Sequence, residues 1–205
     1  RSVINAANPG GAAWMQRAYR LIVEDTEVDT VVLFARWARY TRGLEAGFNP
    51  PDATRGEYVP SSPDGRRLEF GPDAEAVFAS ALKQTVHGLR EAGKRVVLVG
   101  PVPELDVKVP RELARITREG GSASRFAPSA ESFAGRQKHV LDALASQCQL
   151  EGVSCVYPHE RLIEDGVHVV YRDGRVLYRD GDHLSLSGLR YVMPLFEPVW
   201  AAVSP

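Results

Sequence analysis

The sequence has 205 residues, of which 44% are hydrophobic and 25% are charged, ordinary values for a globular domain with a real core. Its formal net charge of −1 gives no electrostatic reason to expect nucleic acid or an anionic membrane surface as a partner. No run of about 18 apolar residues occurs, so we expect no membrane-spanning segment in this chain. The even composition and the absence of an internal repeat predict a single domain over residues 1–205.

The spacing of apolar residues and the turn signals predict an alternation of helices and strands. In the first half these are a helix over 12–24, a strand over 30–35, a polar excursion over 41–71 with a hairpin from 56–59 to 67–70, a helix over 72–92 and a strand over 95–99. In the second half they are a helix over 110–118, a helix over 130–149, a strand over 153–157, a hairpin around 173–174 and a closing helix over 189–203.

This order predicts an α/β fold, a three-layer α/β/α sandwich with a mostly parallel sheet covered by helices on both faces. In such folds functional residues gather at the carboxyl ends of the strands. Arg36 follows the first strand, residues 101–104 follow the second, and Asp180 and His183 precede the last helix. We therefore expect these groups at one edge of the sheet.

A carboxylate stands three residues before a histidine in the polar loop at 180–188. A histidine that acts as a general base needs one ring nitrogen towards the reaction and the other held by a carboxylate. Asp180 and His183 can meet this need on one turn, and Ser185 or Ser187 can cap the helix that follows. The alternative is an ordinary strand-turn-helix with a surface histidine.

The pattern Asp-x-x-His-Leu-Ser-x-x-Gly at 180–188 resembles the last sequence block of the SGNH (GDSL-like) hydrolases. It is most similar to the SGNH domains fused to membrane acyltransferases of family 3. The resemblance implies a flavodoxin-like SGNH sheet and a Ser-His-Asp triad completed by Asp180 and His183. Asp182 competes for the aspartate role, but because it is adjacent to His183 we expect it to point elsewhere.

Two upstream regions resemble the same family in the same order. Residues 29–40 resemble its apolar strand that ends in an Ala-Arg-Trp-like signature. Residues 93–104, followed by 109–115, resemble the next strand and the loop beyond it. Together with the C-terminal block, these regions extend the resemblance over about residues 15–200.

The oxyanion hole departs from the general SGNH pattern, in which an asparagine of a Gly-x-Asn block donates a hydrogen bond. Here Arg36 and Trp37 stand in that place, as in the acyltransferase-fused branch. Arg36 could donate to a developing oxyanion or to a substrate carboxylate, or it could be a structural salt-bridge residue. Trp37 could form a wall of an acyl or sugar pocket, or it could be a core side chain.

The nucleophile is a second departure. The family carries its serine in a Gly-Asp-Ser block at the end of the first strand, and no Gly-Asp-Ser occurs in this sequence. The first clear strand, 30–35, matches a later strand of the family. We therefore expect an N-terminally truncated chain whose nucleophilic serine lies upstream of residue 1. Ser2 has no preceding Gly-Asp, which favours a bystander role.

The resemblance implies an SGNH-type acyltransferase or esterase that makes or breaks an O-acyl ester, commonly acetyl, on a carbohydrate such as a cell-surface glycan. It also implies that the parent protein carries an N-terminal transmembrane acyltransferase domain and that this domain lies on the extracytoplasmic side, periplasmic or at the cell surface. The fragment alone is then expected to be inactive. The alternative is a non-catalytic carbohydrate-binding or scaffold module with a degenerate SGNH fold.

The remaining reactive side chains decide less. Cys148 and Cys155 could form a disulfide in an exported domain or remain independent thiols. Their spacing matches no zinc pattern, and the other histidines are scattered singly, so we predict no metal site. No Gly-rich phosphate loop is present either, and we predict no cofactor. The scattered histidines are His87, His139, His159 and His168.

Overall fold

A computed structural model of the protein describes residues 9–43, 61–62 and 64–203. Helices and strands alternate in the first part of the chain: α1 (Pro9–Glu24), β1 (Thr30–Phe34), α2 (Arg39–Arg42), α3 (Pro72–Glu91), β2 (Arg95–Val99), α4 (Val109–Arg118), α5 (Ala130–Gln147) and β3 (Val153–Val156). The elements that follow are shorter: α6 (Pro158–Arg161), β4 (Ile163–Glu164), β5 (Val167–His168), β6 (Tyr171–Arg172), β7 (Arg175–Val176), α7 (Leu186–Val192) and α8 (Glu197–Val203).

The three longer strands form one sheet in the order β1-β2-β3. β1 and β2 are parallel, with Val31 opposite Val96. Beyond the end of β2, the N–H of Gly100 donates to the carbonyl of Val156 in β3 at 2.8 Å. Helices connect the successive strands, as parallel pairing requires. The predicted α/β class with a mostly parallel sheet is confirmed.

Backbone contacts divide the chain into two compact units. Unit 1 takes its described residues from Arg1–Leu44, Asn49–Val99 and Lys138–Cys155. Unit 2 takes its described residues from Gly100–Gln137 and Val156–Pro205. The expectation of a single domain over 1–205 stays a prediction.

The core of unit 1 lies between β2 and α3, because both elements present continuous apolar faces. Val96, Val97 and Leu98 of β2 are at most 1% exposed. A disulfide between Cys148 and Cys155 joins the end of α5 to β3. Of the two alternatives for these cysteines, the structure has the bonded one. The apolar side chains that α3 contributes to the core are Phe78, Leu82, Val86 and Leu89.

Unit 2 has its own apolar core, which lies beneath the loop that carries Asp180 and His183. The loop after β2 takes part in it, because Leu105 is 2% exposed and its N–H donates to the carbonyl of Gly181 at 2.8 Å. The buried members of this core are Val102, Leu105, Val109, Leu162, Val170, Leu177, Tyr178 and Val192.

The closing helix differs from its prediction. It begins at Leu186 rather than at 189, and it is divided into α7, a 3-10 turn over Met193–Phe196, and α8. Pro194 and Pro198 stand at the first turns of the second and third pieces, where a missing N–H is tolerated.

Two hairpins were predicted. The one around residue 173 is confirmed as β6 and β7, with Asp173 and Gly174 at φ of 49° and 76°, as a tight two-residue turn requires. The other has its first strand, 56–59, outside the described residues. The helices α2 and α6 and the hairpin β4–β5 were not predicted. Among the residues that the structure describes, no helix combines the length and hydropathy needed to cross a bilayer.

Candidate functional site

The candidate site is the loop between β7 and α7, in unit 2. Its backbone closes on itself, because the N–H of Arg179 donates to the carbonyl of His183 at 2.8 Å. The N–H of Ser185 donates to the carbonyl of Leu177 at the same distance of 2.8 Å. The chain therefore reverses direction between these bonds, and Asp180 lies on the same tight turn as His183.

The serine and the last glycine of the motif join this loop to the helix that follows. Ser185 is the N-cap of α7, and its Oγ accepts from the N–H of Gly188 at 3.1 Å and donates to the carbonyl of Val176 at 2.6 Å. A Cβ at Gly188 would lie 2.0 Å from the carbonyl oxygen of Leu177. Any larger residue there would push the start of α7 away from the loop.

The segment after β2 holds the site loop in place through contacts between backbone N–H groups and carbonyls. The N–H of Val109 is 3.4 Å from the carbonyl of Asp180, and the N–H of Leu105 donates to the carbonyl of Gly181. Both residues of this supporting segment are buried, Val109 completely. The position of Asp180 is thus tied to a packed part of unit 2 rather than to a free loop.

Asp180 holds one ring nitrogen of His183. Nδ1 of His183 lies 3.0 Å from each carboxylate oxygen of Asp180. The backbone N–H groups of Asp182 and His183 donate to Oδ1 of Asp180 at 3.1 and 2.8 Å and fix the carboxylate. The side chain of His183 is 57% exposed, and its Nε2 makes no hydrogen bond within the described part of the chain. The spacing predicted this contact, whereas the catalytic roles of both residues stay predictions.

The charge state of Asp180 suits this contact. Partial burial raises the pKa of Asp180. The backbone N–H groups of Asp182 and His183, together with the hydrogen bond and charge of the His183 ring, outweigh this effect and lower the pKa to about 2. Asp180 is therefore ionised at neutral pH. An ionised acceptor at Nδ1 keeps the proton on that nitrogen and leaves Nε2 as the basic one.

Asp182 does not point elsewhere, and that expectation is wrong. Its Oδ1 lies 3.2 Å from Nδ1 of His183, and its side chain is only 11% exposed. The loop turns so tightly that positions 180 and 182 both present oxygens to the same atom. Residue spacing alone gives no signal for this, because the outcome depends on the backbone conformation at Gly181.

The same three side chains could hold a metal ion, since their ligand atoms lie within 4.8 Å of one another. A metal at Nδ1 needs this nitrogen without its proton, whereas the hydrogen bond to Asp180 needs the proton in place. Oδ1 of Asp180 also already accepts two backbone N–H groups. The arrangement suits a held imidazole better than a metal ligand set, and the expectation of no metal stays a prediction.

Arg36 and Trp37 lie beyond the end of β1, in unit 1. Trp37 is 8% exposed, its Nε1 donates to the carbonyl of Val99 at 2.8 Å, and its ring centroid is 5.9 Å from that of Phe78. These are the contacts of a core side chain, which was the alternative to a pocket wall. Arg36 is half-buried, and both of its alternatives remain open.

Sequence analysis missed one grouping of histidines in unit 2. His159 and His168 both pack on Phe133, with ring centroids 4.7 and 4.9 Å from it. Burial, followed by the charge of His168, lowers the pKa of His159 to about 4. Burial also lowers the pKa of His168, against the opposing effect of the Pro128 carbonyl that its Nδ1 contacts at 3.1 Å. No periodicity joins these positions, so the sequence carried no signal for the contact.

Comparison with known proteins identifies one family. The family model described as "SGNH domain (fused to AT3 domains)" matches residues 3–198. No curated protein matches the chain at a significant level. One similar solved structure is the periplasmic domain of a lipopolysaccharide acetyltransferase from Salmonella ser. Paratyphi A, with 16% identity and a TM-score of 0.48 over 65% of this chain. The chain spans 53% of the length of that structure.

Proposed function

The chain belongs to the family of SGNH domains fused to AT3 domains, and we propose that it supplies the base of a serine enzyme that transfers or hydrolyses acyl groups. Family membership supports acyl transfer or hydrolysis as the broad class of activity. The single observation that carries the proposal is the contact of His183 Nδ1 with both oxygens of Asp180 at 3.0 Å. It leaves Nε2 on the exposed side of a ring whose other nitrogen is fixed.

In the proposed mechanism, the oxygen of a serine hydroxyl attacks the carbonyl carbon of an acyl ester, and Nε2 of His183 takes the proton of that hydroxyl. Asp180 keeps the proton on Nδ1 and stabilises the imidazolium. The imidazolium then gives its proton to the departing alkoxide, which leaves an acyl-serine. A sugar hydroxyl or a water, deprotonated by Nε2 in turn, attacks the acyl-serine. The bond between the acyl carbon and the serine oxygen breaks, the imidazolium returns its proton to that oxygen, and the acylated sugar or the free acid leaves.

We place the serine outside these 205 residues, because no Gly-Asp-Ser block occurs among them. In the described residues β1 pairs with β2 alone, which leaves its other edge open to a further strand. The side chains of Val32 and Phe34 on β1 are 45% and 61% exposed, an apolar face that another element can cover.

Arg36 is the proposed donor to the oxyanion, since it stands two residues after the carboxyl end of β1, where functional groups gather in parallel sheets. A guanidinium presents fixed N–H donors to developing negative charge. In the longer protein that contains the serine, Arg36→Ala should then lower kcat on the order of a hundredfold. Arg36→Lys, which keeps the charge and loses the fork, is the matched control. A folded Arg36→Ala variant with an unchanged rate assigns Arg36 to structure instead.

We propose further that the domain works outside the cytoplasm, beside a membrane-embedded AT3 domain, and that the acyl acceptor is a surface carbohydrate. The fusion named in the family description supports the first part. The disulfide between Cys148 and Cys155 supports an oxidising compartment. In this proposal the acyl group is commonly acetyl, and no nucleic acid or cofactor takes part.

Assays with 4-nitrophenyl acetate on the purified chain and on the longer AT3-fused protein distinguish an enzyme with an external serine from a carbohydrate-binding module. We expect no turnover by the 205-residue chain and turnover by the longer protein. Robust turnover by the chain alone would contradict an external serine. A longer protein that contains no Gly-Asp-Ser block and binds glycan without turnover would support the carbohydrate-binding module instead.

A further inference from the structure

Two carboxylates, rather than one, face Nδ1 of His183. The oxygens of Asp180 lie 3.0 Å from it and Oδ1 of Asp182 lies 3.2 Å from it. The side chain of Asp182 is 11% exposed and that of Asp180 is 33% exposed. Nδ1 hydrogen-bonds to Asp180, whereas Oδ1 of Asp182 lies within ion-pair distance of the same nitrogen.

We propose that Asp182 is a second positioning residue, whose charge favours a proton on Nδ1 of His183 beside the hydrogen bond that Asp180 accepts. The inference rests on the proposed function, in which His183 is the general base. Asp180 orients the ring through a carboxylate fixed by two backbone N–H groups. Asp182 adds a second negative charge next to the imidazolium that forms when Nε2 takes a proton. Because Asp182 is the more buried of the two, solvent and salt screen its charge less.

The backbone donors make an amide substitution at Asp180 informative. In Asp180→Asn, the N–H groups of Asp182 and His183 hold the amide oxygen at the place of Oδ1. The amide NH2 then takes the place of Oδ2 and can donate to Nδ1 of His183 at 3.0 Å, while the amide oxygen, also 3.0 Å from Nδ1, is already the acceptor of two backbone N–H groups. This favours the tautomer with its proton on Nε2, which cannot act as the base.

Asp182 opposes that change, because its negative charge, 3.2 Å from Nδ1, still favours a proton on that nitrogen. The single variant Asp180→Asn should therefore show a mixture of both tautomers. The double variant, which also carries Asp182→Asn, should be shifted further towards the Nε2–H tautomer. In Asp182→Asn alone, Asp180 keeps the Nδ1–H tautomer.

Long-range proton–nitrogen NMR on the 205-residue chain, with its histidines isotope-labelled, measures these tautomers without substrate or serine. The spectrum of His183→Ala identifies the His183 resonances by their absence. We expect the Nδ1–H tautomer in wild type, a mixture in Asp180→Asn and a clear majority of Nε2–H in the double variant. Equal Nε2–H fractions in Asp180→Asn and in the double variant would overturn the inference.

A double-mutant cycle in the longer protein measures the same coupling through turnover of 4-nitrophenyl acetate. Asp182→Asn should cost about threefold in kcat in the wild type and about tenfold or more in the Asp180→Asn background. It should also move the acidic limb of the pH–rate profile to lower pH, because the imidazolium has lost a negative neighbour. A merely structural role would lower the rate without moving this limb.

Asp173→Asn is the matched control, because Asp173 is an exposed aspartate in the same unit, at a φ of 49° that asparagine also tolerates. It removes the same charge and should leave the rate unchanged. If His183→Ala abolishes turnover while the two Asn substitutions are additive, only the role of Asp182 is wrong. If His183→Ala leaves turnover intact, the proposed function itself is wrong.

Discussion

His183 and the pair formed by His159 and His168 lie in the same unit in opposite environments. His183 is 57% exposed in its side chain and contacts an ionised carboxylate at 3.0 Å. His168 is 1% exposed and its Nδ1 contacts a backbone carbonyl, while Phe133 packs on both rings of the pair. Burial lowers the pKa of His168 and, with the charge of His168, that of His159 to about 4. A histidine that contacts a carboxylate and solvent, such as His183, is suited to act as a base. A buried histidine without a carboxylate partner, such as His168, stays neutral.

The largest effect that tests this comparison is expected from His183→Ala in the proposed longer protein that contains the serine. Loss of the base should lower acyl transfer by roughly three to four orders of magnitude, as in other serine triads. Turnover of 4-nitrophenyl acetate measures it, and circular dichroism checks the fold.

His168→Leu is the control for that variant. The carbonyl of Pro128 keeps the backbone N–H of residue 168 as its donor, so the substitution leaves no new unpaired carbonyl there. We expect the rate to change by less than about threefold, because this ring takes no part in the chemistry. The comparison breaks if His168→Leu and His183→Ala lower the rate equally in folded proteins.

Asp180→Asn should follow, with a loss of roughly three orders of magnitude in kcat, because the ring loses its ionised acceptor and the wrong tautomer becomes favourable. The measurement is steady-state turnover in the same longer protein. A rate within about twofold of wild type would show that the contact at 3.0 Å has no role in orienting the base.

The buried pair predicts a pH dependence of stability. The folded pKa of His159 is about 4, below its ordinary value of 6.5, so the unfolded chain binds a proton in this interval that the folded chain does not. The free energy of unfolding should therefore fall as the pH falls from 6.5 towards 4, by about 1–2 kcal/mol after a discount for solvent near His159. Urea unfolding across this range measures it.

One variant assigns that loss to a residue. His159→Leu should flatten the pH dependence of stability, because it removes the group whose pKa is lowered by burial. An equally steep fall in stability in His159→Leu would contradict the assignment to the buried pair.

The smallest expected effect concerns Asp180 itself. The pKa of Asp180 in the folded chain is about 2, below its ordinary value of 3.8. Asp180 therefore stabilises the fold at pH values above 3.8, and this contribution is lost as the pH falls towards 2. Because the side chain is 33% exposed, the contribution should be less than about 1 kcal/mol. Asp180→Asn should remove this part of the acid dependence, measured as the unfolding free energy across the same interval. An unchanged acid limb would argue against the hydrogen-bonded carboxylate.

The elements that the sequence predicted best are those with the strongest local signals. The predicted strand 95–99, whose last four residues are apolar, is a strand with those same ends, and the helix α3 ends at Glu91, one residue before the predicted end. The contact of Asp180 with His183 was also predictable, because a separation of three residues suffices to bring two side chains together on a tight turn. Each of these depends on residues close in the chain.

What the sequence missed depends on tertiary structure or on fine backbone conformation. The shared packing of His159 and His168 on Phe133 joins three distant positions, and no periodicity marks it. The approach of Asp182 to His183 depends on the path of the chain through Gly181. The core contacts of Trp37 depend on Phe78, which comes from another helix.

Labelling with a fluorophosphonate, which reacts only with an activated serine, tests the central claim most directly. In the proposed longer, AT3-fused protein, we expect one labelled serine in a Gly-Asp-Ser block in the wild type and almost none in a folded His183→Ala variant, because the hydroxyl is no longer deprotonated as it attacks. Equal labelling of the two proteins would contradict the account, since His183 would then not be the base.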